Sequence, residues 1–96
     1  MQISIVIPLL NEEESLAELY QWLTKVLTLN RFSYEIIFVD DGSTDGSWRV
    51  IMQLAEKDAQ VRGIRFLRNY GKSQALHAGF KAAEGEVVIT MDADLQ

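Results

Sequence analysis

Four short runs of β-branched and aliphatic residues alternate strictly with three stretches whose apolar residues recur at helical spacing. Ile3-Ser4-Ile5-Val6-Ile7, halted by Pro8, reads as a buried strand. Leu16, Leu19, Tyr20, Leu23, Val26 and Leu27 then form an amphipathic stripe, with Asn11 as its expected cap and Glu12, Glu13 and Glu14 in its expected first turn. Tyr34 to Val39 is a second strand, ending at the turn-rich Asp40-Asp41-Gly42-Ser43-Thr44-Asp45-Gly46. Trp48, Ile51, Met52 and Ala55 mark a second helix, Val61 to Leu67 a weaker strand, and Ala75, Leu76, Gly79, Phe80 and Ala83 a third helix. Glu86 to Met91 is the fourth strand, and it runs into Asp92-Ala93-Asp94-Leu95-Gln96.

The order β-α-β-α-β-α-β with continuously apolar strands predicts an α/β fold in three layers, a parallel sheet covered by helices on both faces. Right-handed crossovers leave few arrangements, of which a Rossmann-like strand order 3-2-1-4 is the one expected. Ligands of such sheets bind beyond the carboxyl ends of the strands, where the winding reverses. That rule demands unusual polar residues just after strands 1, 2 and 4, and the sequence supplies them: Glu12 and Glu13, Asp40 and Asp41, Asp92 and Asp94.

Composition narrows the chemistry. With 48% apolar residues the 96-residue chain can bury a core. It has no cysteine, hence no disulfide framework, thiolate metal site or cysteine nucleophile. A net charge of −5 without a Lys/Arg cluster argues against nucleic acid as a partner. The apolar runs fall short of the roughly 20 residues of a membrane span, and the N-terminus lacks a basic signal-peptide region. A cytoplasmic chain is the expectation. No G-x-G-x-x-G, P-loop or G-x-S-x-G pattern is present.

Six carboxylates at one sheet edge repel one another unless a cation or hydrogen-bond donors of a ligand sit among them. In an extended segment Asp92 and Asp94 point the same way, as ligands of Mg²⁺ or Mn²⁺ would, and Gln96 could add an amide oxygen. On spacing alone a solvated Asp-x-Asp turn fits equally well. Asp40-Asp41 reads first as one turn-capping and one exposed aspartate, although a carboxylate there can also accept from a nucleobase imino group. Lys72, opening the third helix after Gly71, suits a diphosphate or an ordinary surface position. The single histidine, His77, reads as structural or surface, and Trp22, Trp48 and Phe80 as core or interface.

Taken together, Ile5 to Leu16, Val39 to Gly46, Asn69-Tyr70-Gly71-Lys72 and Met91 to Gln96 resemble the N-terminal, nucleotide-binding half of an inverting GT-A glycosyltransferase of family 2. The likeness is to the branch holding dolichol-phosphate mannosyltransferases and polyprenyl-phosphate glycosyltransferases. The resemblance implies that Pro8, Leu10 and Glu12 line the nucleotide pocket and that Val39 and Asp41 contact base and ribose. It implies that Asp92 and Asp94 form the D-x-D motif holding Mg²⁺ or Mn²⁺ on the donor diphosphate, with Ala93 adjacent and Gln96 a further metal ligand. Leu10 departs from the Tyr or Phe of many relatives, which leaves the nucleotide open. The implied reaction moves a sugar from a UDP- or GDP-sugar to an acceptor, in the first instance polyprenyl phosphate, with inversion. The metal would neutralise the leaving diphosphate.

On this reading residues 1–96 are the donor-binding part of a larger domain, cut at the D-x-D motif. The parent would act on a lipid-phosphate acceptor at the cytoplasmic face of the membrane. The piece alone is expected to bind donor and metal without turnover and to self-associate through exposed apolar surface. A non-catalytic nucleotide- or metal-binding module is the alternative. A receiver-like signalling domain fits less well, because its acidic pair follows strand 1 and its lone phosphoacceptor follows strand 3, where this chain has Leu67-Arg68-Asn69.

Overall fold

A computed structural model describes residues 1–94. Its elements are β1 (Ile3–Leu9), α1 (Leu16–Leu29), β2 (Tyr34–Asp40), α2 (Ser47–Lys57), β3 (Val61–Arg65), α3 (Lys72–Ala82) and β4 (Val87–Thr90). The four strands form one parallel sheet in the order β3-β2-β1-β4, as the alternation predicts. Among the described residues no helix is long and apolar enough to cross a membrane.

Strand side chains alternate between faces, and this divides the core. Ile3, Ile5, Ile7 and Leu9 of β1, with Ile36 and Phe38 of β2, pack against Leu16, Leu19, Leu23 and Leu27 of α1 and Ile51 and Leu54 of α2. On the opposite face Val6, Ile37 and Val39 meet Ala75 of α3. There the helix comes so close that a Cβ on Gly79 would run into the Val6 side chain. Trp48 is half-buried under the first core, whereas Trp22 and Phe80 lie largely exposed on α1 and α3, outside both cores. His77 is exposed on α3.

Three local expectations need correction. Pro8 does not stop β1, which continues to Leu9. Leu9 accepts from Asp41 N–H on the β2 side and Val6 from Met91 N–H on the β4 side, so Pro8 faces the side where pairing with β4 has already ended at Val6. Its missing N–H therefore costs no ladder bond. Second, α1 begins at Leu16, and Asn11 does not cap it. Asn11 takes the left-handed conformation at φ 55°, which asparagine tolerates better than most residues, and its carboxamide serves a different loop. Third, both Asp40 and Asp41 are buried, at 1% and 5% exposure.

At the amino end of the sheet a buried polar network fixes the α3-side face. Glu35 accepts from Ser4 Oγ (2.6 Å), Arg62 Nη1 (2.7 Å) and Glu84 N–H (2.7 Å), while Gly85 N–H donates to Ser4 Oγ (2.8 Å). Ser4 and Glu35 are register partners in β1 and β2, which is why both point to one side. Burial pushes the Glu35 carboxyl up, but these hydrogen bonds and the Arg62 charge outweigh it and hold the carboxyl below its usual range.

Candidate functional site

Two loops at the carboxyl end of the sheet are stitched together. Asn11 Oδ1 accepts from Thr44 N–H (2.8 Å) and Asp45 N–H (3.2 Å), while Asn11 N–H donates to Ser43 Oγ (2.9 Å). Glu12 N–H donates to Ser47 Oγ (2.9 Å) and Glu13 N–H to Asp45 Oδ2 (3.3 Å). Burial raises the Asp45 carboxyl, but donation from the Ser47 hydroxyl and the N–H groups of Ser47 and Glu13 brings it below the ordinary range. The segment after β1 and the start of α2 thus form one platform.

Asp40 and Asp41 extend that platform in different directions. Asp40 Oδ1 accepts from Ser43 N–H (2.9 Å) and closes the turn, while its buried Oδ2 has no hydrogen-bond partner among the described residues. Asp41 reaches the other way. Its Oδ1 accepts from Tyr70 N–H (2.8 Å) and its Oδ2 from Gly71 N–H (3.1 Å). Gly71, at φ 108°, makes the turn that launches α3, so Asp41 sets where Lys72 begins the helix.

Above the platform lies a cleft of about 400 Å³ at the carboxyl edge. It brings together Pro8, Leu10 and Glu12 after β1, Asp41 after β2, Gly71 and Lys72 at α3, and Asp92, Ala93 and Asp94 after β4. These are residues that sequence and resemblance single out, met at one place. Val39 is the exception: its side chain is fully buried against α3 and lies outside the lining. Gln96 lies outside the described residues. Leu9 and Asn69 line the cleft without having been singled out for a role. For Asn69 the signal was available, in its place just before the glycine turn.

Ser15 fastens the acidic segment after β4 to the start of α1. Its Oγ lies 3.0 Å from the Ala93 carbonyl oxygen and 3.1 Å from Glu12 Oε2, and donates to one at a time. Ala93 itself is buried, so the turn is anchored between two exposed aspartates. Asp92 Oδ1 accepts from Lys72 Nζ at 2.9 Å. Among the described residues no group of three or more His, Asp or Glu side chains converges as a cation cage. Two carboxylates nonetheless suit Mg²⁺ or Mn²⁺, hard ions that take remaining ligands from water and substrate phosphates. The Lys72 ammonium supplies positive charge beside Asp92.

Comparison with known proteins identifies the family and agrees with the fold. The family model described as "Glycosyl transferase family 2" matches residues 4–96. The undecaprenyl-phosphate 4-deoxy-4-formamido-L-arabinose transferase of Pseudomonas fluorescens is 47% identical over 98% of this chain, which covers 28% of that protein. The bactoprenol glucosyl transferase of Shigella phage SfV is 42% identical over 100% of this chain and 31% of its own length. The chain thus spans less than a third of these relatives. Among solved structures, S. aureus TarS 1-349 in complex with UDP superposes with a TM-score of 0.83 at 28% identity, over 98% of this chain and 28% of that one. The Pyrobaculum calidifontis mannosyltransferase PcManGT, in complex with GDP-Man and Mn²⁺, gives 0.75 at 25% identity, over 97% of this chain and 27% of its own. Matched along almost its whole length by fold, motif order and sequence, the chain belongs to glycosyl transferase family 2.

Proposed function

We propose that these residues are the donor-binding part of a glycosyltransferase that moves a sugar from a nucleoside diphosphate sugar to a polyprenyl phosphate, with inversion. The carrying observation is the single cleft in which Pro8, Leu10, Glu12, Asp41, Lys72, Asp92, Ala93 and Asp94 meet. Support for the donor comes from the neighbours bound to UDP and to GDP-Man, and support for the acceptor from relatives named for undecaprenyl phosphate and bactoprenol.

In this reading Pro8, Leu10 and Glu12 border the nucleoside, with Asp41 at base and ribose; Val39, buried under α3, stays outside the contact. Lys72, at the positive end of α3, faces the diphosphate. Asp92 and Asp94, with Gln96, hold Mg²⁺ or Mn²⁺, which when bound supplies positive charge to the departing diphosphate. A phosphate acceptor is already anionic and needs little help from a general base. The lipid acceptor is membrane-held and the nucleotide sugar water-soluble, so the whole protein works at the membrane surface, on its cytoplasmic side. Since relatives are more than three times longer, the chain alone is expected to bind donor and cation without transferring sugar, and to self-associate through the exposed Val87, Val88 and Ile89 of β4.

Calorimetric titration of the chain with UDP and GDP, with and without Mn²⁺, tests the reading. Metal-dependent binding is expected, and Asp94→Ala should weaken it about tenfold or more, at least the loss seen when a metal site's supporting groups are removed. Binding indifferent to Mn²⁺ would count against the site. Turnover of a nucleotide sugar onto a lipid phosphate by the purified chain would overturn the expectation of inactivity.

A further inference from the structure

Resting on that reading of the cleft, we infer that Lys72 is a built-in counter-ion for Asp92, occupying the cation's place until a divalent ion and a diphosphate arrive together. Lys72 Nζ lies 2.9 Å from Asp92 Oδ1, and both side chains are exposed, at 65% and 69%. Such a pair is weak and readily exchanged, since water screens it. It is also well placed. The cleft of about 400 Å³ and a second cavity of about 290 Å³, lined by Leu76, Thr90 and Met91, share Pro8, Lys72 and Asp92. The ion pair therefore borders both spaces.

The position of Lys72 is set rather than incidental. Asp41 receives Tyr70 and Gly71 N–H, Gly71 turns at φ 108°, and Lys72 follows as the first residue of α3. From there an ammonium on a flexible stem can leave Asp92 for a diphosphate at the helix N-terminus without backbone movement. A divalent ion alone must displace Lys72 and then sit beside its charge. With a diphosphate present, the displaced ammonium gains a new anion. The consequence is that metal binds poorly by itself and well with nucleotide, so an empty site does not hold a cation that has nothing to neutralise.

The test is Mn²⁺ binding to the chain without nucleotide, read from the electron paramagnetic resonance signal of free Mn²⁺. Lys72→Met should bind Mn²⁺ about two- to fivefold more tightly than the unaltered chain, the size of an exposed ion pair. Lys72→Arg keeps the charge and should behave like the unaltered chain, as should Lys81→Met, which removes the same charge outside both cavities. With Mn²⁺ present, Lys72→Met should in turn bind UDP or GDP more weakly. Equal Mn²⁺ affinity in Lys72→Met and Lys81→Met, or a Lys72→Arg chain as tight as Lys72→Met, overturns the counter-ion role. So does an absence of Mn²⁺ binding in all of them. Asp92→Asn separates the two levels: if it abolishes Mn²⁺ binding while Lys72→Met changes nothing, the metal site stands and the counter-ion falls. If Asp92→Asn leaves Mn²⁺ binding intact, the metal reading fails and the counter-ion role with it.

Discussion

At Asp40 and Asp41 the chain buries two carboxylates side by side and gives them opposite partners, one local and one 29 residues away in sequence. Their place at a strand end is legible from the run that precedes them. Their burial is not, because the Tyr70 and Gly71 N–H groups that compensate Asp41 come from a loop no local pattern connects to it. Glu35 is a similar case: within an apolar strand it reads as an intrusion, and only the register with Ser4 and the reach of Arg62 explain it. Its carboxyl is held below the usual range in the folded chain, so the unfolded chain takes up a proton first as pH falls. The stability it contributes is therefore complete above the unfolded carboxylate value of about 4.3 and lost as pH drops through the folded value. Glu35→Gln should cost about 1–3 kcal/mol at neutral pH. In urea unfolding the difference from the unaltered chain should shrink as the medium is acidified through that window.

Strands and helices were readable as kinds of element, because burial on both faces of a parallel sheet leaves unbroken apolar runs and helices leave stripes. Their ends were harder to read. Pro8 looks like a stop until the pairing shows that its missing N–H faces a side with no partner. Asn11 looks like a cap until its carboxamide is found on Thr44 and Asp45, across more than 30 residues of chain. The α3 stripe was legible, but not why it carries glycine. Gly79 lies against Val6 of the central strand, and a methyl group there has no room. Gly79→Ala, although it favours helix, should therefore destabilise by about 1–3 kcal/mol through overpacking, read as a lowered midpoint in thermal unfolding. Retained or raised stability would mean that α3 can move off the sheet at little cost.

Over the whole molecule, strand order and the gathering of polar residues at one edge follow from alternation and right-handed crossovers, and both were legible. What the sequence pattern does not display is the difference between the sheet's two borders. The β3 border carries Arg62, paired with Glu35, and Arg65, whose guanidinium lies 5.6 Å from the Trp48 ring centroid. The β4 border carries Val87, Val88 and Ile89, all exposed and without a charge among them. Charged residues guard an edge against added strands and apolar ones do not. Light scattering of the chain alone should accordingly show association rising with concentration, and Val88→Lys should reduce it. A chain that stays monomeric at high concentration would remove the basis for this expectation.

The guarded and unguarded borders give the sheet a direction of growth. A strand added at the unguarded border would pair beside β4, and β4 leads into Asp92, Ala93 and Asp94. Asp92, Ala93 and Asp94 are part of the wall of the cleft. A strand paired beside β4 would therefore lie next to that wall, so the border open to pairing and the cleft are neighbours in the fold.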